Sequence, residues 1–248
     1  MSFRQRLRGG ELLAGTWVKT PHPHVVEVLA DGPLDCLVLD AEHAPFDRAA
    51  LDLCLLAGRD KPAALLVRPP SAAPHHLLGA LDCGADGIVA PHIRSAAEAA
   101  RLVAACRYGP GGRGYAGSTR AAGYGTVPMA RHRAAGEALS VIAQIEDAEA
   151  LAELDAIAAT PGLDALFIGR ADLTIALDAD GLDAPEVEAA VAAIVAAGAR
   201  QGTATGMFLP RTADVARWRA AGATLFLLES DQQFLRAGAA VLARAVRG

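Results

Sequence analysis

Five short apolar runs in this 248-residue chain each end in polar residues able to do chemistry. The clusters are Asp40-Ala41-Glu42-His43, Arg68-Pro69-Pro70, Gln144-Ile145-Glu146, Gly169-Arg170-Ala171-Asp172 and Glu229-Ser230-Asp231. If the runs lie side by side, several carboxylates, an imidazole and a guanidinium meet at one place. Carboxylates at short range cannot all stay ionised without compensation. Arg68 offsets one charge. A divalent cation offsets two more, and oxygen donors suit Mg²⁺ or Mn²⁺. Plainer roles stay open. Glu146 and Asp172 also suit the first turn of a helix, Arg68 a surface ion pair, and His43 an ordinary loop.

The elements that must position these residues alternate in type. The apolar runs are Leu12–Val18, Leu34–Leu39, Ala63–Val67, Gly87–Ala90, Leu139–Ile145, Ala165–Ile168, Ala204–Phe208 and Thr224–Leu228. Helical patterns cover Pro23–Ala30, Arg48–Ala57, Pro74–Asp82, Ala96–Cys106, Ala148–Ala159, Glu186–Ala199, Ala213–Ala221 and Gln232–Val246. Continuous apolar strands separated by helices imply a parallel sheet covered by those helices. Eight such units in about 250 residues predict one α/β domain over 1–248, a single (β/α)₈ TIM barrel. An open doubly wound sheet is the alternative. In a barrel the active site lies at the carboxyl ends of the strands, where the five clusters fall.

Local signals agree. Asp47 and Ser95 stand at N-cap positions. Cys83-Gly84, Ala197-Gly198 and Ala221-Gly222 predict helix ends, because glycine tolerates the left-handed C′ conformation. Gly84-Ala85-Asp86 and Gly162-Leu163-Asp164 read as tight turns into strands. Tyr108–Val127 is the longest irregular piece, a length typical of a lid, binding loop or interface segment. Its Gly109–Gly114 stretch lacks the Lys-Ser/Thr of a phosphate loop.

Composition excludes several classes. The chain is 52% hydrophobic and 21% charged, which supports a large core and argues against disorder. A net charge of −5 without like-charge blocks argues against nucleic acid or an anionic membrane as partner. Cys36, Cys54, Cys83 and Cys106 are widely spaced and read as reduced core residues. No apolar run reaches the ~18 residues of a membrane span. Met1–Gly10 has no apolar signal segment, so a cytoplasmic location is expected.

The pieces Leu39-Asp40-Ala41-Glu42-His43-Ala44-Pro45, Val67-Arg68-Pro69-Pro70, Gln144-Ile145-Glu146 and Ile168-Gly169-Arg170-Ala171-Asp172-Leu173, in that order, resemble the HpcH/HpaI aldolase family. These are class II pyruvate aldolases of the phosphoenolpyruvate/pyruvate barrel superfamily. The resemblance implies a lyase that joins or cleaves pyruvate, or a related 2-keto acid, and an aldehyde through a metal-stabilised enolate. It implies Mg²⁺, Mn²⁺ or Co²⁺ as cofactor, with Glu146 and Asp172 as metal carboxylates. Gln144, Arg68 and Ala171 then contact substrate; Trp17, at the end of the first strand, either lines the pocket or plugs the core. Arg68 steadies the enolate oxygen, His43 transfers protons, and Asp82 orients His43. Asp40 lies near the metal's water shell. The resemblance also implies a homo-oligomer, a hexamer or an assembly of dimers, with the C-terminal helix packed on or exchanged with a neighbour.

Arg170, Lys19 and the Met207–Pro210 segment depart from the family pattern and bear on the substrate. Arg170 could bind a second substrate carboxylate or point to solvent. A Schiff-base mechanism would need a lysine. Only Lys19 and Lys61 are present, and Lys19 alone lies at the right end of the barrel. Other readings are decarboxylation or acyl-CoA lyase chemistry on the same platform, and a silent metabolite-binding barrel.

Overall fold

In the computed structural model, which describes residues 1–247, eight parallel strands close into a barrel in sequential order. They are β1 (Leu13–Val18), β2 (Cys36–Asp40), β3 (Ala64–Arg68), β4 (Gly87–Ala90), β5 (Ser140–Ile145), β6 (Ala165–Ile168), β7 (Ala204–Leu209) and β8 (Leu225–Ser230). Every expected strand is present, with ends shifted by up to two residues. Closure pairs Leu13 with Leu225 and Ala14 with Phe226, and the register shifts between Gly15 and Trp17.

The helices, in chain order, are α1 (Phe3–Arg8), α2 (Pro23–Ala30), α3 (Arg48–Ala57), α4 (Pro74–Asp82), α5 (Ala96–Cys106), α6 (Met129–Glu137), α7 (Leu154–Ala158), α8 (Arg170–Ala176), α9 (Pro185–Gln201), α10 (Val215–Ala221) and α11 (Asp231–Arg247). Asp47 and Ser95 cap α3 and α5 as expected, accepting from the Ala50 and Glu98 amides. Gly84 and Gly222 take positive φ beyond α4 and α10. Two expectations fail. Ala148–Ala159 is not one helix: a 3₁₀ turn over Ala148–Ala152 gives way at Glu153 to α7. Gly198 does not end its helix. α9 runs on to Gln201 and stops at Gly202, whose φ is +68°. A Cβ on Gly198 would stand 2.4 Å from Thr205 Cγ2, so this glycine lets helix and strand approach. Helices α1, α6 and α8 were not marked by the apolar pattern.

Side-chain alternation splits the core in two. Leu13, Trp17, Cys36, Val38, Leu66, Val89, Ile142, Phe167 and Leu227 fill the barrel interior. Val18, Leu37, Leu39, Val67, Ile88, Val141, Ile145 and Ile168 face the helices. Asp40, Arg68 and Gln144 share the inward parity of Val38, Leu66 and Ile142, two residues further along their strands. The strand pattern that packs the core therefore delivers these polar residues to the barrel mouth.

The opposite end is held by a repeated device. Asp35, Asp86 and Asp164 precede strands and accept from the amides of Ala14, Leu65 and Val141 at 2.8, 2.8 and 2.9 Å. Helix α1 packs Leu7 into the interior cluster and ties Arg4 to the buried Asp164 and Arg6 to Asp35. All four cysteines are buried and unpaired. No helix among the described residues is long and apolar enough to cross a membrane.

Helix α11 does not pack back on its own barrel. Beyond Asp231 none of its described residues is buried, and Leu235, Val241, Leu242 and Val246 are between 56% and 87% exposed. The spacing of Leu235, Leu242 and Val246 puts them on one stripe, with Val241 to its side.

Candidate active site

The carboxyl ends of the strands surround a cavity of about 590 Å³. Trp17, Arg68 and Gln144 line its floor, and His43, Ala171 and Asp172 its rim.

Arg68 is the central cation. Its Nε and Nη2 donate to the two carboxylate oxygens of Asp40 at 3.0 and 2.8 Å. The guanidinium lies 4.1 Å from the Trp17 ring centroid, and that ring meets Phe167 edge-on at 5.9 Å. Trp17 thus both plugs the barrel and supports the arginine. Asp40 is fully buried. Burial alone would raise its pKa, but the hydrogen bonds and charge of Arg68 outweigh it and hold the carboxyl below the usual range.

Glu146 is held on both oxygens. The His92 amide donates to Oε1 at 2.8 Å, and Gln144 Nε2 donates to Oε2. His92 has φ +56°, which is strained for a side-chain-bearing residue, and this turn aims its amide at Glu146. A Cβ on Gly169 would lie 2.5 Å from Glu146 Oε2, so only glycine leaves room there. Burial first, and then the Asp172 charge, push the Glu146 pKa upward against these hydrogen bonds. Asp172 opens α8 and is exposed to the cavity.

These residues fit a divalent cation. One carboxylate is fixed and destabilised as an anion, a second is near enough to repel it, and the buried Gln144 Oε1 has no hydrogen-bond partner among the described residues. No group of three or more His, Cys, Asp or Glu metal donors occurs among them. The remaining ligands would come from water or substrate.

A profile of the HpcH/HpaI aldolase/citrate lyase family matches residues 13–237. The chain belongs to that family. The 5-keto-4-deoxy-D-glucarate aldolase of Klebsiella pneumoniae subsp. pneumoniae is 35% identical over 247 residues, 99% of this chain and 96% of its own. The hydroxypyruvate/pyruvate aldolase of Paraburkholderia phytofirmans is 37% identical, covering 94% and 92%. A crystal structure of an HpcH/HpaI aldolase/citrate lyase family protein from Burkholderia cenocepacia superposes with a TM-score of 0.95 at 36% identity, over 100% of this chain and 99% of that one. The protein is accordingly an aldolase-type carbon–carbon lyase.

Against the family pattern, one expected pairing does not form. His43 follows the carboxyl end of β2, whereas Asp82 ends α4 and leads to the amino end of β4. The nine-residue α4, about 13 Å long, separates the two levels. Asp82 instead lies 3.7 Å from Arg113. Burial raises its pKa, and its Oδ1 has no hydrogen-bond partner among the described residues. Within one chain Asp82 does not orient His43. The His43 ring lies 3.8 Å from Glu42.

Arg170 does not point to solvent but lines the cavity. Its side chain is 4% exposed, and its Nη2 donates to Leu182 O at 2.7 Å and Asp183 at 3.2 Å. It clamps the loop before α9. Lys19 faces the Asp40 carboxylate at 3.4 Å rather than the apolar pocket that favours a Schiff-base lysine.

Glu42 and Asp147 carried no assigned role in the sequence, and His92, after the fourth strand, could face the pocket. Glu42 is partly buried, and burial and the nearby Glu146 charge raise its pKa despite Arg68 at 3.3 Å. The His92 ring bridges Asp147 at 3.0 Å and Glu42 at 3.5 Å. Burial opposes its protonation, but Asp147, Glu146 and Glu42 together raise its pKa. Asp147 completes the set. For Glu42 and Asp147 the available signal was adjacency to Asp40 and Glu146; for His92 it was its place just after the end of β4.

Proposed function

We propose that this mouth binds pyruvate or a related 2-keto acid, and joins it to or cleaves it from an aldehyde. Asp172, Arg68 and Gln144 line one cavity, with Glu146 held by Gln144 and close enough to Asp172 to feel its charge, and this arrangement carries the reading. Glu146 and Asp172 would hold a divalent cation such as Mg²⁺, Mn²⁺ or Co²⁺, which supplies Lewis-acid polarisation of a carbonyl.

The chain's own groups account for the rest. Gln144 and the backbone near Ala171 receive the carboxylate end of the keto acid. Arg68, locked by Asp40 and Trp17, presents its remaining N–H groups to the oxygen that gains negative charge when the carbon–carbon bond breaks. Asp40 keeps that guanidinium in place. His43, half exposed at the rim, moves the proton to or from the aldehyde-derived hydroxyl.

The test is an aldol assay with pyruvate and a panel of aldehydes. Chelator should remove activity, and Mg²⁺, Mn²⁺ or Co²⁺ should restore it. Full activity in metal-free protein would overturn the reading.

The protein works as a homo-oligomer on this reading, a hexamer or dimer-based assembly, because the α11 stripe needs an apolar partner. A second chain also reconciles His43 with Asp82, by supplying the aspartate to a neighbour's site. Two variants test this. His43→Ala and Asp82→Ala should each lose at least about tenfold in kcat/KM. Mixing them under subunit exchange should restore part of the activity. No recovery in mixed assemblies would refute a shared site. A cytoplasmic location fits the four free thiols.

A further inference from the structure

We infer that Lys19 selects for aldehydes that carry a carboxylate. The inference rests on the aldolase reading above and assigns its acceptor side.

The backbone at the end of β1 is fixed by the buried Asp231, whose Oδ1 and Oδ2 accept from the Lys19 and Thr20 amides at 2.7 and 3.1 Å. Lys19 thus leaves the strand at a defined point, and its side chain lines the cavity one-third exposed. The sole acid near its ammonium is Asp40 at 3.4 Å, without hydrogen-bond geometry among the described residues. Asp40 does not need it: Arg68 occupies both of its oxygens, and the Glu42 and His43 amides add to Oδ1 at 3.3 and 3.1 Å. An ammonium carries three donors. Those of Lys19 are unspent.

The charged residues lining the cavity include Lys19, Arg68, Arg170, Asp172, Glu229 and Arg236. Arg68 is engaged by Asp40 and, at 3.3 Å, by Glu42, and Arg170 donates to Leu182 O and Asp183. Lys19 has no hydrogen-bonded acid among the described residues. A three-carbon keto acid occupies a minor part of 590 Å³. A carboxylate on the acceptor would take a charge-assisted hydrogen bond from Lys19.

The experiment compares glyoxylate, the smallest anionic aldehyde, with neutral glycolaldehyde, using pyruvate as donor. The quantity read is the ratio of the two kcat/KM values. Lys19→Met and Lys19→Gln should each lower that ratio about tenfold, the size of one partly exposed ionic hydrogen bond. Lys19→Arg should keep it within about threefold of the parent. An unchanged ratio in a folded Met or Gln variant overturns the inference. So does an equal loss on both aldehydes, which would mean that Lys19 acts through Asp40 and Arg68. Exchange of the pyruvate methyl protons into D₂O by the parent enzyme needs no acceptor. Its absence would indict the aldolase reading, whereas its presence with an unchanged ratio indicts Lys19 alone.

Discussion

Glu146→Gln should lower kcat/KM at least about a thousandfold at saturating Mg²⁺ or Mn²⁺, without weakening the metal-free fold. The amide can still accept from the His92 backbone, so the side chain keeps its place. What it loses is the charge that binds a cation. Direct Mn²⁺ titration by calorimetry should show the corresponding loss of affinity. Stability should move the other way. The folded-state pKa of Glu146 is raised, chiefly by burial. A carboxyl of that kind disfavours the fold when ionised, and the penalty is relieved as pH falls through its raised pKa. Gln is neutral throughout and carries no such penalty. Thermal melts of metal-free protein at neutral pH should therefore place the variant at or above the parent. Near-parental turnover with bound metal would remove Glu146 from the site. A large fall in stability would show a structural role instead.

How much of this could be read from residue order depends on whether a feature is local. The barrel was legible because eight apolar runs and the helices between them each follow from periodicity. The mouth was legible for the same reason: a strand end is defined by its own sequence, and Asp40, Arg68, Gln144 and Glu146 extend the inward parity of the core. The misses involve contacts between distant segments. Gly198 was read as a helix end because its contact, Thr205, belongs to the next strand. Arg170 is open in sequence between a substrate carboxylate and solvent, because the residues that take its Nη2, Leu182 and Asp183, lie in a later loop. His43 and Asp82 could be paired by resemblance, but sequence spacing does not reveal that α4 places them at different levels. The role of Lys19 likewise emerges only once Arg68 is seen to satisfy Asp40 by itself.

That satisfaction makes Arg68 the residue where chemistry and folding are hardest to separate. Arg68→Lys keeps the charge but cannot span both oxygens of Asp40 or stack broadly on Trp17. It should cost about a hundredfold in kcat/KM, the scale of one lost oxyanion donor, with a modest loss of stability. Arg68→Met removes the charge and leaves Asp40, 0% exposed, facing only Lys19 and two amides. Breaking a buried pair from one side costs about 3–5 kcal/mol, so denaturant melts should show a marked loss. Adding Asp40→Asn to Arg68→Met takes away the stranded charge and should recover much of that stability. It should recover none of the activity, because the oxygen of the reacting keto acid still lacks its donor. Recovery of both together would mean that Arg68 serves the fold alone. Recovery of stability without turnover would assign the guanidinium its chemical role independently of its structural one.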